Sequence, residues 1–146
     1  MLRFRPPRIA LALVVLAALA HWVLGPAVVL QARPIAGMAI AAVGLLVMLA
    51  GWRLFVRAGV AICPTARTER LVTDGIYRLT RNPMYLGMVL MLVGLATGVG
   101  TLPFFVAAGA YFTVLDRVFC RYEEAKLLAC FGSAYLDYAR RVRRWV

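Results

Sequence analysis

Four apolar runs, each close to the length needed to cross a lipid bilayer, constrain this chain more than any other feature. They cover residues 9–30, 35–56, 84–100 and 101–119. A hydrocarbon core about 30 Å thick takes roughly 20 helical residues. Backbone polar groups in lipid must be satisfied within the segment, which makes helices the solution for runs of this kind. The expected fold is therefore all-α: a polytopic transmembrane helical bundle of about four spans, in one domain over 1–146. A cytoplasmic loop at 58–83 and a cytoplasmic helical tail at 120–146 complete it. Composition agrees, with 64% hydrophobic residues and a mean hydropathy of +0.84. Soluble domains are roughly 45–50% apolar, and a small globular core could not absorb the excess. Short connections at 31–34 and 98–103 predict antiparallel hairpins between spans one and two and between spans three and four.

Charge sets the orientation. Arg3, Arg5 and Arg8 precede the first span, and Arg53 sits just inside the second. Arg57, Arg67, Arg70, Arg78 and Arg81 lie at or in the middle loop. Arg117, Arg121, Lys126, Arg140, Arg141, Arg143 and Arg144 follow or close the fourth span. Only Arg33 falls on the other side. The positive-inside rule then places both termini and the long loop in the cytoplasm, of a cell membrane of the bacterial inner-membrane type. The net charge of +11 reads as topology and as contact with anionic headgroups, not as nucleic-acid binding. The first apolar stretch is too long for a cleaved leader and reads as a retained span. Cys63, Cys120 and Cys130 are scattered without metal-ligand spacing, and they suggest free thiols in a reducing compartment and no metal.

The long loop keeps apolar residues at intervals (Val60, Ile62, Leu71, Val72, Ile76, Tyr77, Leu79), which argues against a slack linker. It ends at Arg81-Asn82-Pro83. Proline suits the first helical position, and Asn82 is a natural cap whose side-chain oxygen can accept from orphan N–H groups. After Leu115 the helical pattern continues: Asp116, Cys120, Glu123, Leu127 and Cys130 share one face, and Arg117, Arg121, Glu124 and Leu128 a second. This helix should end near Phe131-Gly132. Ser133 can cap a last amphipathic helix over 134–145. Its Tyr135, Tyr138, Val142 and Trp145 would sit at headgroup depth, with arginines opposite.

Two polar clusters lie near membrane depth: residues 75–87, and 121–124 with Tyr135 and Tyr138 beyond them. Antiparallel pairing of spans three and four brings the start of one beside the end of the other. The string R-N-P-M-Y-L-G is preceded by L-V-T-D-G-I-Y-R. About 36 residues after it comes E-E-A-K-L-L-A-C-F-G-S-A-Y-L-D-Y-A-R-R-V. This order and spacing, over residues 71–146, closely resembles the isoprenylcysteine carboxyl methyltransferase and phospholipid methyltransferase superfamily of membrane enzymes, which use S-adenosylmethionine. The first two spans match only in character.

The resemblance implies an S-adenosyl-L-methionine-dependent methyltransferase. The family's R-H-P-x-Y-x-G block corresponds to Arg81, Asn82, Pro83, Tyr85 and Gly87, and its paired glutamates to Glu123 and Glu124, both blocks serving the cofactor pocket. Tyr77 and Arg78 join these as candidate cofactor contacts. Histidine is the commonest residue before the proline; Asn82 cannot titrate, so a proton-carrying role is lost there while a binding role survives. Glu124 and Arg81 are the candidates for catalytic roles. A carboxylate suits ribose hydroxyls or an amino group, Arg81 or Arg78 suits a carboxylate, and Gly87 lets a flat group approach the helix. Adjacent glutamates point about 100° apart on a helix, so one should face the pocket and the other an ion pair.

Taken singly, each residue has an ordinary role. Asn82-Pro83 can simply start a helix, the glutamate pair can be a solvated face, and Tyr77 and Tyr85 can be interface aromatics. Asp74-Gly75 reads as a turn, and His21 as a neutral histidine bonded to a neighbouring helix. The composed pattern carries the functional reading. Two alternatives stand beside it: an NADPH-dependent membrane reductase related to sterol reductases, and a non-enzymatic helical bundle. The expected acceptor is a lipid or small hydrophobic molecule from the bilayer. With no histidine or other evident base near the site, its nucleophile should be already ionised or intrinsically strong, such as a carboxylate or thiolate.

Overall fold

The computed structural model describes residues 5–25, 29–59 and 71–146. Arg3, Val60, Ile62, Cys63, Arg67 and Arg70, all named above, lie outside them. The described chain is helical: α1 (Pro6–Leu24), α2 (Pro34–Arg57), a 3₁₀ turn at Gly75–Arg78, α3 (Pro83–Val99) and α4 (Leu102–Val114). A π-helical turn at Leu115–Cys120 leads into α5 (Arg121–Phe131), and α6 (Ser133–Arg141) follows. Among the described residues no strand forms, and Val29 and Thr101 make an isolated bridge. Each of α1 to α4 begins with proline at its first or second position. There the fixed φ favours the helix and the missing N–H costs nothing. Gly100 ends α3 in the left-handed region (φ 69°), its N–H bonded to Ala96 O, so the chain can turn at once into α4.

Helices α1 and α2 do not form the hairpin expected from the sequence. Helix α1 packs on α4, α4 on α3, and α3 on α2, so consecutive α1 and α2 lie at the two ends of the row. Residues 29–33, which lead into α2, run across the α3–α4 turn. Leu30 N–H donates to Gly100 O (2.7 Å) and Arg33 N–H to Thr97 O (3.0 Å). The reason is the α2–α3 seam. A Cβ at Gly37 would lie 2.5 Å from Gly94 O, and one at Gly44 2.7 Å from Gly87 O. Small residues let these two backbones touch, and close packing is what holds helices together in lipid.

Helices α1 and α2 and the continuous helix Leu102–Phe131 are long and apolar enough to cross a membrane; α3, at 17 residues, is apolar but shorter. Leu11, Val15 and Trp22 on α1, and Ile35, Met38 and Leu46 on α2, are exposed. Apolar surface of that extent belongs against lipid. His21 falls in the last turn of α1, and its Nδ1 is buried without a partner among the described residues, in place of the expected bond to a neighbouring helix.

A core of Tyr85, Tyr111, Leu115, Phe119 and Cys120 joins α3 to the π-helical turn. That turn changes the register. One turn of i→i+5 bonds takes roughly 4.4 residues and one α turn 3.6. Together they span the eight positions from Asp116 to Glu124, so these two carboxylates lie in line along the helix, where plain α periodicity sets them about 80° apart. Helix α6 ends at Arg141, four residues earlier than expected. The chain then turns back: Val142 is buried, Trp145 packs on Phe112 (4.9 Å between centroids), and Arg144 reaches the face that bears Asp116.

Candidate functional site

The start of α3 is approached by the segment Thr80-Arg81-Asn82, whose backbone and side-chain donors the C-terminal residues engage. Thr80 Oγ1 donates to Arg144 O (3.0 Å), Asn82 Nδ2 donates to the same oxygen (3.2 Å), and Arg81 N–H donates to Arg143 O (3.0 Å). Asn82 occupies the cap position, yet its side chain makes no capping bond. The expected cap is corrected here: a backbone carbonyl of the tail holds the amide instead. Ser133 likewise is the first residue of α6, with Gly132 as its cap and no side-chain capping bond.

Arg81 is the hub. Its Nη1 donates to Tyr135 Oη (3.0 Å), and its Nη2 lies 3.2 Å from Glu124 Oε1. Its Nε is buried with no partner among the described residues. Glu124 is gripped from the other side by Arg144, through Nε to Oε1 (2.9 Å) and Nη2 to Oε2 (2.6 Å). Arg144 Nη1 also bonds Asp116 Oδ1 (2.9 Å), which accepts from Trp145 Nε1 as well (2.9 Å). Glu123 accepts a hydrogen bond from Tyr85 Oη. The two glutamates thus divide as their angular separation requires, Glu124 into ion pairs and Glu123 toward a phenol. Both border the same cleft.

Phe55, Leu71, Val72, Met84 and Leu127 give that cleft an apolar wall, and Tyr77, Tyr85, Tyr135 and Tyr138 an aromatic one. Arg81, Asn82, Pro83, Glu123 and Glu124 complete it. The cavity between them measures about 80 Å³, well below the roughly 300–1,000 Å³ of small-molecule sites; a bound nucleoside must part its walls. Tyr77, buried on the 3₁₀ turn, packs on Phe55 (5.5 Å between centroids), and its carbonyl accepts from Tyr138 Oη (2.7 Å). Burial pushes the Tyr138 phenol up to about 12, so it remains a donor at physiological pH.

Most of the residues expected from the sequence converge here: Tyr77, Arg81, Asn82, Pro83, Tyr85, Glu123 and Glu124. Two do not. The Arg78 side chain is 76% exposed and faces Asp74 (3.6 Å), because the 3₁₀ turn points Tyr77 inward and its neighbour outward. Gly87 is not among the lining residues and lies against Gly44 and Met48 of α2, so its lack of a side chain serves the helix seam. Tyr135 and Tyr138, expected at headgroup depth, are each 4% exposed and cover the cleft. Sequence reasoning passed over Phe55, Leu71, Val72, Met84 and Leu127 as site residues, and Asp116 and Arg144 as their support. The apolar ones look like core, and nothing local separates Arg144 from the arginines around it.

The family model described as phospholipid methyltransferase matches residues 32–134, from the start of α2 into α6 and well over half of the chain. Protein-S-isoprenylcysteine O-methyltransferase B of Arabidopsis thaliana is 35% identical over 78 residues, 51% of this chain and 38% of that protein. Protein-S-isoprenylcysteine O-methyltransferase A of the same plant is 41% identical over 75 residues, 49% of this chain and 36% of that protein. Protein-S-isoprenylcysteine O-methyltransferase of Schizosaccharomyces pombe is 36% identical over 75 residues, 49% of this chain and 30% of that protein. The chain thus covers less than two-fifths of the length of each of these relatives. No solved structure matches it. With a match that takes in the cleft residues from Arg81 to Tyr85 and from Glu123 to Leu127, this chain belongs to the phospholipid methyltransferase family.

Proposed function

We propose that this chain is an integral membrane S-adenosylmethionine-dependent methyltransferase that modifies a lipid or small hydrophobic acceptor at the cytoplasmic membrane face. The observation that carries the reading is Arg81. It is a guanidinium held in place by Tyr135 and Glu124, with a buried Nε unpartnered among the described residues, inside a cleft bordered by two carboxylates. A buried donor without an acceptor is costly, and a carboxylate from a bound amino-acid moiety would satisfy it.

The charges of the lining suit such a ligand. Glu124 is already countered at bonding distance by Arg144 and Arg81, whereas Glu123 hydrogen-bonds a phenol, with the charge of Lys126 acting on it from the same helix. Glu123 is therefore the group for a ligand ammonium or sulfonium, and Tyr77, Tyr135 and Phe55 offer flat surface for a base. S-adenosylmethionine, when bound, supplies an activated methyl group. What the residues must do is align donor and acceptor and keep water out, and the apolar wall of Phe55, Leu71, Val72 and Leu127 is built for the second task.

The described cleft holds no histidine, and its lining phenols are buried. The acceptor thus brings its own nucleophile, a carboxylate or thiolate. In this reading α3 is a fourth crossing, supported along its length by α2, with both termini and the cleft on the cytoplasmic side of the cell membrane.

Membranes containing the protein, given methyl-tritiated S-adenosylmethionine, should transfer label into the organic extract. Glu123→Gln should cut that transfer by roughly 10- to 100-fold, since a hydrogen bond to a charged group contributes about 1.5–3 kcal/mol. Absence of protein-dependent label in the extract, or equal label from the variant, counts against the proposal.

A further inference from the structure

Four of the hydrogen bonds that build the cleft come from residues 142–146, none of which lines it. Arg144 presents Nε and Nη2 to the two oxygens of Glu124 and Nη1 to Asp116, while Trp145 Nε1 bonds the same Asp116 oxygen. Side chains of Arg144, Glu124 and Asp116 are 28%, 19% and 20% exposed. A forked guanidinium against a carboxylate fixes the carboxylate plane, which a lysine cannot do. The backbone of this segment is pinned in turn to the start of α3, through Thr80 and Asn82 onto Arg144 O and through Arg81 N–H onto Arg143 O.

Glu124 is shared between two arginines, and the sharing is unequal. Arg144 takes both oxygens at 2.9 and 2.6 Å, whereas Arg81 reaches one of them at 3.2 Å. With its charge countered by Arg144, Glu124 does not draw Arg81 into a fork of its own. Arg81, a residue of the cleft lining, keeps a buried Nε without a partner among the described residues and spends Nη1 on Tyr135.

We propose that Arg144 is a positioning residue of the site, aiming Glu124 and leaving Arg81 free for ligand, and that Asn82 pegs the C-terminal segment in place. The assignment rests on the donor-binding reading above. It gives Asn82 a task that needs an amide donor and no titration, and it extends the functional unit to the last residues of the chain. The π-helical turn brings Asp116 and Glu124 into line on one face, where one guanidinium bridges them.

The test is a double-mutant cycle on the full chain in lipid nanodiscs, with S-adenosylhomocysteine titrated by calorimetry. Arg144→Met should raise its Kd at least tenfold in the wild-type background and less than twofold in Glu124→Gln, because Arg144 acts through Glu124. Asn82→Asp, which replaces the donor facing Arg144 O with an acceptor, should raise Kd in the same direction. Equal loss from Arg144→Met in both backgrounds marks a general structural role and overturns the proposal, as does an unchanged Kd in the wild-type background. If Arg144→Met does not fold, Arg144→Lys is put through the same cycle and judged by the same pair of outcomes. A wild-type chain that binds no S-adenosylhomocysteine overturns the donor-binding reading and this one with it. Wild-type binding with no coupling overturns this one alone.

Discussion

Replacing Gly87 by alanine separates the two roles this residue could have. A Cβ there would lie 2.5 Å from Gly44 O, 2.7 Å from Met48 Cβ and 2.8 Å from Met48 N. Ordinary carbon contacts sit at about 3.5–4.0 Å, so α2 and α3 must part by about 1 Å around the site. Two of the three obstacles are backbone atoms, and no rotamer change relieves them. A gap of about 0.5–1 Å forfeits a quarter to a half of each dispersion contact across it, and packing is the main force between helices in lipid. Overpacking of this kind costs about 1–3 kcal/mol, offset in part by the roughly 1 kcal/mol that alanine gains over glycine within a helix. The net loss is on the order of 0–2 kcal/mol, and because two of the obstacles are backbone atoms it belongs toward the upper end. Thermal unfolding in detergent should show a midpoint lowered by several degrees, while the folded protein keeps its S-adenosylhomocysteine affinity within twofold. An unchanged midpoint with lost affinity would refute the reasoning and return Gly87 to the ligand site.

Three further outcomes follow from the same geometry. Arg78→Ala should change neither S-adenosylhomocysteine affinity nor the unfolding midpoint measurably, since its side chain is 76% exposed and faces only Asp74 among the described carboxylates; a tenfold weaker titration would place it in the site after all. Tyr138→Phe strands the buried Tyr77 carbonyl that its hydroxyl serves at 2.7 Å, at a cost of about 1–3 kcal/mol visible in chemical denaturation. Burial raises the folded-state phenol of Tyr138 to about 12 and that of Tyr77 in the same direction. The stability these contribute is whole below the unfolded value of about 10 and is lost as pH rises through the folded value, at up to about 1.4 kcal/mol per unit per site. The denaturation midpoint should hold from about pH 7 to 9 and fall above about 10, less steeply in Tyr138→Phe. A midpoint flat to about pH 11.5 contradicts this.

The helices were legible because their starts are marked locally. Prolines 6, 34, 83 and 103 stand where helices begin, and apolar runs of span length follow them. The partners of those helices were not legible. Loop length suggested that α1 pairs with α2, but the glycines of α2 find their counterparts on α3, and a one-dimensional pattern does not say which two small-residue faces meet. Seven cleft residues were visible in the motifs at Tyr77, at Arg81 to Tyr85 and at Glu123-Glu124 because a fixed sequence spacing was enough to mark them. Arg144 was hidden among Arg140, Arg141 and Arg143, which share its composition and not its contacts. Its role depends on α6 stopping at Arg141 and on a π-helical turn 24 positions upstream of it, and both arise from packing rather than propensity. The aromatics of α6 show the same limit. Their amphipathic spacing is real, but the apolar face meets Leu71, Leu127 and Phe131, where the pattern alone suggested lipid.

Calorimetric titration of the chain in nanodiscs with S-adenosylhomocysteine, and separately with NADPH, tests the central claim most directly. A methyl-donor cleft around Arg81, Glu123 and Glu124 predicts micromolar binding of S-adenosylhomocysteine, abolished by Arg81→Ala, and no heat from NADPH. Binding of NADPH without S-adenosylhomocysteine, or S-adenosylhomocysteine affinity indifferent to Arg81→Ala, would contradict it.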